Sequence, residues 1–296
     1  MRFGSSIPVI LTLLFFGLAS LASAEGTGRA RLLGSFTWEM DAPWFGGWSG
    51  IEVSPDGRQM VVISDRGRIL DAQIIRKDDQ ITAVQAGQMQ RLKSSKGVAL
   101  THKIADSEGL AIAPDGTLFI SFENVIRVAR YAQTTANAQV LRKHPAFGKL
   151  ARNKALEALA IDSQGRLFTL PERVEPDRTI QVFVLDNNVW TTPFTLSGNP
   201  DFLPVGADFG PDGQFYLLER AFGIWGFRSR VRRWDISQAG ATNQELLFET
   251  EYGTHDNLEG LTVWRDQQGR TRLTMISDDN FLSLQTTEIV EYAVQE

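Results

Sequence analysis

Three glutamates occupy the same kind of place in this 296-residue chain: Glu108 in SEGLAI, Glu157 in LEALAI and Glu259 in LEGLTV. Each opens a short apolar run, so each carboxylate stands where a buried strand begins. Carboxylates gathered in a low-dielectric place raise one another's pKa unless positive charge lies among them. The pattern therefore asks for a hard cation, for arginines, or for both. A second acidic set closes the runs that come after the intervening turns: Glu123, Glu172, Glu219 and the stretch Asp278-Asp279-Asn280. The two sets together are the candidate metal ligands. Calcium suits them, because it accepts several oxygen ligands at flexible geometry. Zinc suits them less, in a chain with no cysteine and three histidines.

Arg66, Arg173 and Arg220 each follow a polar or acidic residue at the end of the same runs. Guanidinium groups there suit an anion such as a phosphoester or carboxylate, and pairing with the neighbouring glutamates is the competing reading. His255, four residues before Glu259, is a candidate for proton transfer, since its ordinary pKa lies near working pH. With Glu108 and Glu259 it forms the candidate catalytic set. His144 reads as an ordinary polar residue. The apolar stretch AFGIWGF from Ala221 to Phe227 either walls a site or folds over a channel mouth.

The elements that must position these residues are hairpins. Between Asp106 and Glu123 the sequence DSEGLAIAPDGTLFISFE puts a Pro-Asp-Gly turn between two alternating apolar runs. The strands are antiparallel, so Glu108 and Glu123 emerge at one end. Variants of this unit recur around Gly57, Gly116, Gly165, Gly213 and Gly269, about fifty residues apart, which marks radial or solenoid repetition. Each unit has room for four short strands. The predicted fold is all-β, a β-propeller of five four-stranded antiparallel blades, with six open if the connection from Leu92 to Asp106 hides a degenerate blade. The last unit has three good strands, and the run from Arg31 to Trp38 is expected to supply its fourth. If each first strand runs down the channel, the glycine turns lie on the bottom face. Both acidic sets and the arginines then lie on top.

The N-terminal run from Ile7 to Leu18, followed by Ala22-Ser23-Ala24, reads as a secretory signal peptide over 1–24. The remainder, 25–296, is expected to form one propeller domain in the periplasm or outside the cell, without a membrane span. The absence of cysteine excludes disulfides, thiolate zinc sites and cysteine nucleophiles. A net charge of −5 argues against nucleic acid as a partner. No G-x-S-x-G elbow, P-loop or dinucleotide fingerprint occurs. A monomer acting on a small anionic substrate is the expected form.

WSGIEVSPDG with ISDRG, DSEGLAIAPDGTLFISFE, LEALAIDSQGRLF with PER, LLERAFG, and NLEGLT followed by ISDDNFLSLQTTEIVEY together resemble the phytase-like family, also described as "esterase-like activity of phytase". The resemblance covers nearly the whole chain after the leader. It implies an exported β-propeller with acidic residues carrying phosphoesterase or esterase activity. Unlike well-studied β-propeller phytases, the chain has no lysine cluster on its top face. Three functions follow as expectations: a calcium-dependent phosphoester hydrolase, a calcium-dependent lactonase or arylesterase similar to gluconolactonase propellers, and a propeller that binds without catalysing.

Overall fold

The computed structural model describes residues 28–151 and 154–295, so the proposed leader lies outside the described residues. Five antiparallel sheets are arranged as the blades of a propeller. Blade 1 is Trp48–Val53, Gln59–Ser64, Arg68–Lys77 and Gln80–Ala86, with Gln90–Arg91 added beside the third strand. Blade 2 is Ser107–Ile112, Leu118–Phe122, Arg127–Tyr131 and Gln139–Val140. Blade 3 is Ala158–Ile161, Leu167–Leu170, Phe183–Asp186 and Val189–Thr191, flanked by a separate ladder of Thr179–Gln181 and Thr195–Ser197. Blade 4 is Leu203–Phe209, Phe215–Gly223, Gly226–Ser237 and Gly240–Glu249. Blade 5 is Leu258–Arg265, Thr271–Ser277 and Glu288–Val294, and its outermost strand is the N-terminal Ala30–Thr37. That strand pairs from Ala30 against Val294 to Thr37 against Glu288, so hydrogen bonds between the two ends of the chain close the ring. The alternative of six blades is corrected here. The Leu92 to Asp106 connection holds a 3-10 turn at His102–Ile104 and isolated bridges from Lys93 to Ala99 and Asn137.

The core is divided into five wedges, each built from two adjacent blades. Trp48, Ile51 and Val62 of blade 1 meet Trp264, Ile276 and Ile289 of blade 5 in one of them. Leu159 and Phe183 of blade 3 meet Ala111 and Val128 of blade 2 in another. Each fully buried large apolar side chain contributes about 1.5–3 kcal/mol, so the wedges, rather than a central core, hold the blades together. The bottom turns need left-handed glycines: φ is 71° at Gly57, 82° at Gly116, 77° at Gly165, 78° at Gly213 and 81° at Gly269.

The five innermost strands touch one another around the axis. What lets them converge is a ring of small residues, Gly50, Gly109, Ala158, Gly206 and Gly260. A Cβ at Gly206 would lie 2.4 Å from the backbone oxygen of Glu259, and one at Gly109 would lie 2.7 Å from that of Glu157. The free space at this waist is about 10 Å³, barely one water, so the channel is plugged. Gly206→Ala is therefore expected to lower stability by about 1–3 kcal/mol, read by urea denaturation, because the backbone opposite cannot retreat.

Candidate active site

The same inner strands aim the acidic side chains. Register shifts interrupt their pairing with the second strand between Trp48 and Gly50, Ser107 and Leu110, Pro204 and Gly206, and Leu258 and Gly260. The residues passed over, among them Glu108 and Glu259, are β-bulge positions, and a bulge redirects a side chain out of the ladder. Just above the glycine waist, these bulges turn glutamates into a funnel on the top face.

Among the described residues, eight carboxylates gather there: Asp65, Asp106, Glu108, Glu123, Glu157, Glu172, Glu259 and Asp278. Asp106, Glu108 and Glu123 bring one oxygen each to within 4.8 Å of one another, the spacing of a single ion's ligands. Burial, then the charges of Glu157 and Glu259, hold Glu108 well above the ordinary carboxylate range. Burial, then Glu123 and Glu172, does the same to Glu157. Glu123 is pushed up to about 7, first by burial, while the neighbouring Glu157 carboxyl and Ala155 amide act in the opposite direction. Burial pushes Asp65 to about 7 and Asp278 to about 8, the latter with help from the charge of Glu259.

Arg220 is the guanidinium set among these acids. Its Nη2 donates to Glu172 Oε1 at 2.9 Å, and its Nη1 reaches both Glu259 Oε1 and Asn257 Oδ1. Burial works against its charge, but Glu259, Glu172 and Glu157 outweigh it and raise its pKa. Asn257 Nδ2 also donates to Glu259 Oε1 at 2.9 Å, which leaves Oε2 of Glu259 free of these bonds. Glu259 is still raised by its burial.

Other expected site residues go elsewhere. Glu219 is fully buried inside blade 4, clamped by Arg230 at 2.9 and 3.0 Å and by Arg232 at 2.6 and 2.7 Å. Its acceptor capacity is used up, and it is an ion-pair group rather than a funnel residue. Asp279 ties two loops together by accepting from Gly47 N at 2.9 Å and Phe281 N at 3.0 Å. Asn280 caps Asp278 through its amide at 2.6 Å and lines the cavity described below. His255 is buried at the flank of blade 5, with Nε2 2.8 Å from Tyr292 Oη and Nδ1 3.9 Å from Glu288, so it is held away from the funnel carboxylates by a structural pair. Arg173 is exposed and paired with Glu175 at 2.8 Å. Arg66 lies over the Phe281 ring at 3.3 Å, beside Asp65. The three arginines thus do not converge on one anion. Asp65 and Asp106 were missed as site residues. Their signal was the repeat itself, since Asp65 in ISDRG and Asp278 in ISDDN close equivalent strands.

Beneath the waist lies a second acid pair that no motif announced. Glu52 of blade 1 accepts from Thr262 Oγ1 at 3.2 Å, and Asp208 of blade 4 accepts from Val263 N at 2.6 Å and Phe209 N at 2.7 Å. Burial raises both, Asp208 to about 7, and the charge of Asp208 raises Glu52 further. Such carboxyls stabilise the fold while protonated and cost stability as pH climbs past their unfolded values. Glu52→Gln is therefore expected to raise stability at pH 8 and change it little at pH 5, compared by chemical denaturation at the two pH values.

A cavity of about 810 Å³ opens from the funnel over blade 4, between the connection that enters this blade and the one that leaves it. Glu172, Arg220, Asn257 and Glu259 line its inner end, and Phe202, Phe222, Phe227 and Tyr252 its outer wall. The stretch Ala221 to Phe227 is no loop. It is the continuation of two paired strands, turning at Ile224-Trp225.

The family model of the phytase-like proteins, "esterase-like activity of phytase", matches residues 43–281. No curated protein sequence matches the chain. Among solved structures, an α-L-arabinofuranosidase from Podospora anserina in complex with cellotriose overlaps with a TM-score of 0.53 at 10% identity, over 90% of this chain and 96% of that one. The PQQ-bound aldose sugar dehydrogenase of Streptomyces coelicolor gives 0.47 at 12% identity, over 90% and 99%. A gluconolactonase of Xanthomonas campestris gives 0.42 at 15%, over 79% and 68%. At 10% identity the likeness to the arabinofuranosidase is one of fold alone.

Proposed function

Because the chain belongs to the phytase-like family, we propose that it is an exported, calcium-dependent hydrolase of ester bonds. The observation that carries this reading is a carboxylate trio in the same funnel as Glu259, which itself lines a roomy cavity. Asp106, Glu108 and Glu123 offer oxygen only, are close enough for one ion, and include buried carboxyls whose charge needs a cation. They fit calcium. Bound there, calcium would keep these carboxylates ionised and set positive charge against an ester oxygen.

The remaining work falls to the chain's own groups. Glu259 has one oxygen fixed by Arg220 and Asn257 and the other free to take a proton from a water in the cavity. A carboxyl raised by burial is suited to that base role near neutral pH. Glu157, held well above the ordinary carboxylate range by burial and then by the charge of Glu123, is the nearby acid that returns a proton to the leaving group. Export by way of residues 1–24 and work in the periplasm or outside the cell belong to the same proposal, as does a single propeller over 25–296.

Carbon esters fit this site better than phosphoesters. A phosphoester is held best by several free guanidinium groups, but Arg220 is bound to Glu172 and Glu259 and Arg173 to Glu175, which among the described residues leaves Arg66, stacked on Phe281, as the one of the three without a carboxylate bond. The test is an ester and lactone panel beside a phosphoester panel, each with calcium and with chelator. Calcium-dependent turnover of esters is expected, falling about 10²-fold or more in Glu259→Gln. Turnover of phosphoesters alone, or turnover indifferent to chelator, would sink the reading. Ligand binding without any turnover would make the protein a binding propeller.

A further inference from the structure

We infer that the cavity selects neutral esters carrying an aromatic group, which seats against the wall of Phe202, Phe222, Phe227 and Tyr252. This rests on the ester-hydrolase reading and adds the substrate class.

The wall is an extension that the propeller does not need. The second strand of blade 4 is nine residues long, against six, five, four and seven in blades 1, 2, 3 and 5. The surplus carries Phe222, 74% exposed, and leads into a turn at Ile224 and Trp225, 91% and 75% exposed, which lie outside the cavity lining. Large apolar side chains held that far into water add nothing to the core, and contiguous apolar surface of this kind marks a binding site. Phe222 and Phe227 are directly opposed across the hairpin, with ring centroids 5.0 Å apart, so they form one face. Phe202 and Tyr252 complete the lining. The resulting space falls in the range of small-molecule sites, about 300–1,000 Å³, and sets one aromatic wall against a lining that is otherwise mostly polar.

Charge decides what the ligand carries. Glu172, Asp201, Glu249 and Glu259 line the cavity against Arg220 and Arg228. Both cations are committed: Arg228 bonds Glu249 and the Thr250 carbonyl, and Arg220 bonds Glu172 and Glu259. Among the described residues that line the cavity, an anionic ligand meets an excess of carboxylate with no spare guanidinium, whereas a neutral aromatic group meets rings and the edges of paired arginines. Arg228 stands 5.7 Å from the Tyr252 ring and 5.5 Å from the Phe202 ring, which stiffens this wall.

The test compares 2-naphthyl acetate with ethyl acetate on the calcium-loaded full-length mature protein, and titrates the uncleavable neutral analogue N-(2-naphthyl)acetamide by calorimetry. The expected result is a clear preference in kcat/KM for the naphthyl ester. Phe222→Ala, at an exposed position where folding is not at stake, should lower the ratio about tenfold, mostly through KM, and weaken the analogue to a similar degree. Equal kcat/KM for the two esters, an unchanged ratio in Phe222→Ala, or no saturable binding of the analogue would overturn the inference while leaving ester hydrolysis standing. If no ester is turned over but the analogue binds and Phe222→Ala weakens it, the aromatic site survives and the hydrolase reading fails. Binding to neutral phosphatidylcholine vesicles that depends on Trp225, without binding of the analogue, would reassign the hairpin to a lipid surface and overturn the proposal.

Discussion

Calcium added to chelator-stripped protein is expected to raise the melting temperature by about 5–10 °C at pH 8 and by far less at pH 5. A ligand present at a hundred times its Kd adds about 2.7 kcal/mol to the folded state, and a domain of this size moves by about 2–4 °C per kcal/mol. The pH dependence follows from the funnel. Asp65 and Glu123 are pushed up to about 7 and Asp278 to about 8, each first by burial. Unfolded, these groups titrate near 4, so between pH 4 and 8 the folded state holds protons that the unfolded state has lost. Without a cation, stability therefore falls as pH rises through that window. A cation reverses the sign, because it favours the ionised carboxylates and must displace their protons at low pH. Differential scanning calorimetry at pH 5 and pH 8, with calcium or with chelator, reads the effect. A calcium shift of equal size at both pH values would show that the funnel carboxylates are not the ligands. Glu108→Gln should remove most of the shift at pH 8.

Replacing Glu219 by Ala is expected to cost about 3–5 kcal/mol, the loss typical when one member of a buried ion pair is removed. Its carboxylate accepts four hydrogen bonds from Arg230 and Arg232, whose side chains are 10% and 5% exposed. Without it, two guanidinium groups face each other in blade 4. Arg230 keeps a 3.8 Å approach to Glu249, and Arg232 keeps its bonds to Ser197. Neither replaces the lost charge. Urea denaturation measures the loss, and the calcium shift should persist in the variant, since Glu219 stands outside the funnel. Disappearance of that shift would put Glu219 back among the ligands.

Glu219 and Glu172 show what sequence spacing conveys and where it stops. Both sit at the end of a second strand and both precede an arginine. Glu172 reaches Arg220 across the funnel, whereas Glu219 is drawn into its own blade by two arginines on the neighbouring strand. Position along the strand was readable, but the partner was not, because it lies on another strand and depends on register. His255 is a similar case: its proximity to Glu259 along the chain suggested a shared site, yet Tyr292, thirty-seven residues on, is what holds it. The acid pair of Glu52 and Asp208 left no trace in the sequence, since its two members come from strands of blades 1 and 4 that meet only around the closed ring.

The fold was legible because its determinants are local and repeated. A glycine turn needing positive φ, alternating strands about it, and a recurrence near fifty residues define a blade, and the unpaired N-terminal run defines the closure. The glutamates at the start of the first strands were legible for the same reason, and the sequence alone determined that they gather on one face. Only the tertiary structure decided how they are used. β-bulges aim Glu108 and Glu259 inward, the glycine waist plugs the channel beneath them, and Arg220 is taken up by two of the acids rather than left for a substrate anion. Those outcomes depend on distances between blades, which strand spacing along the chain does not encode.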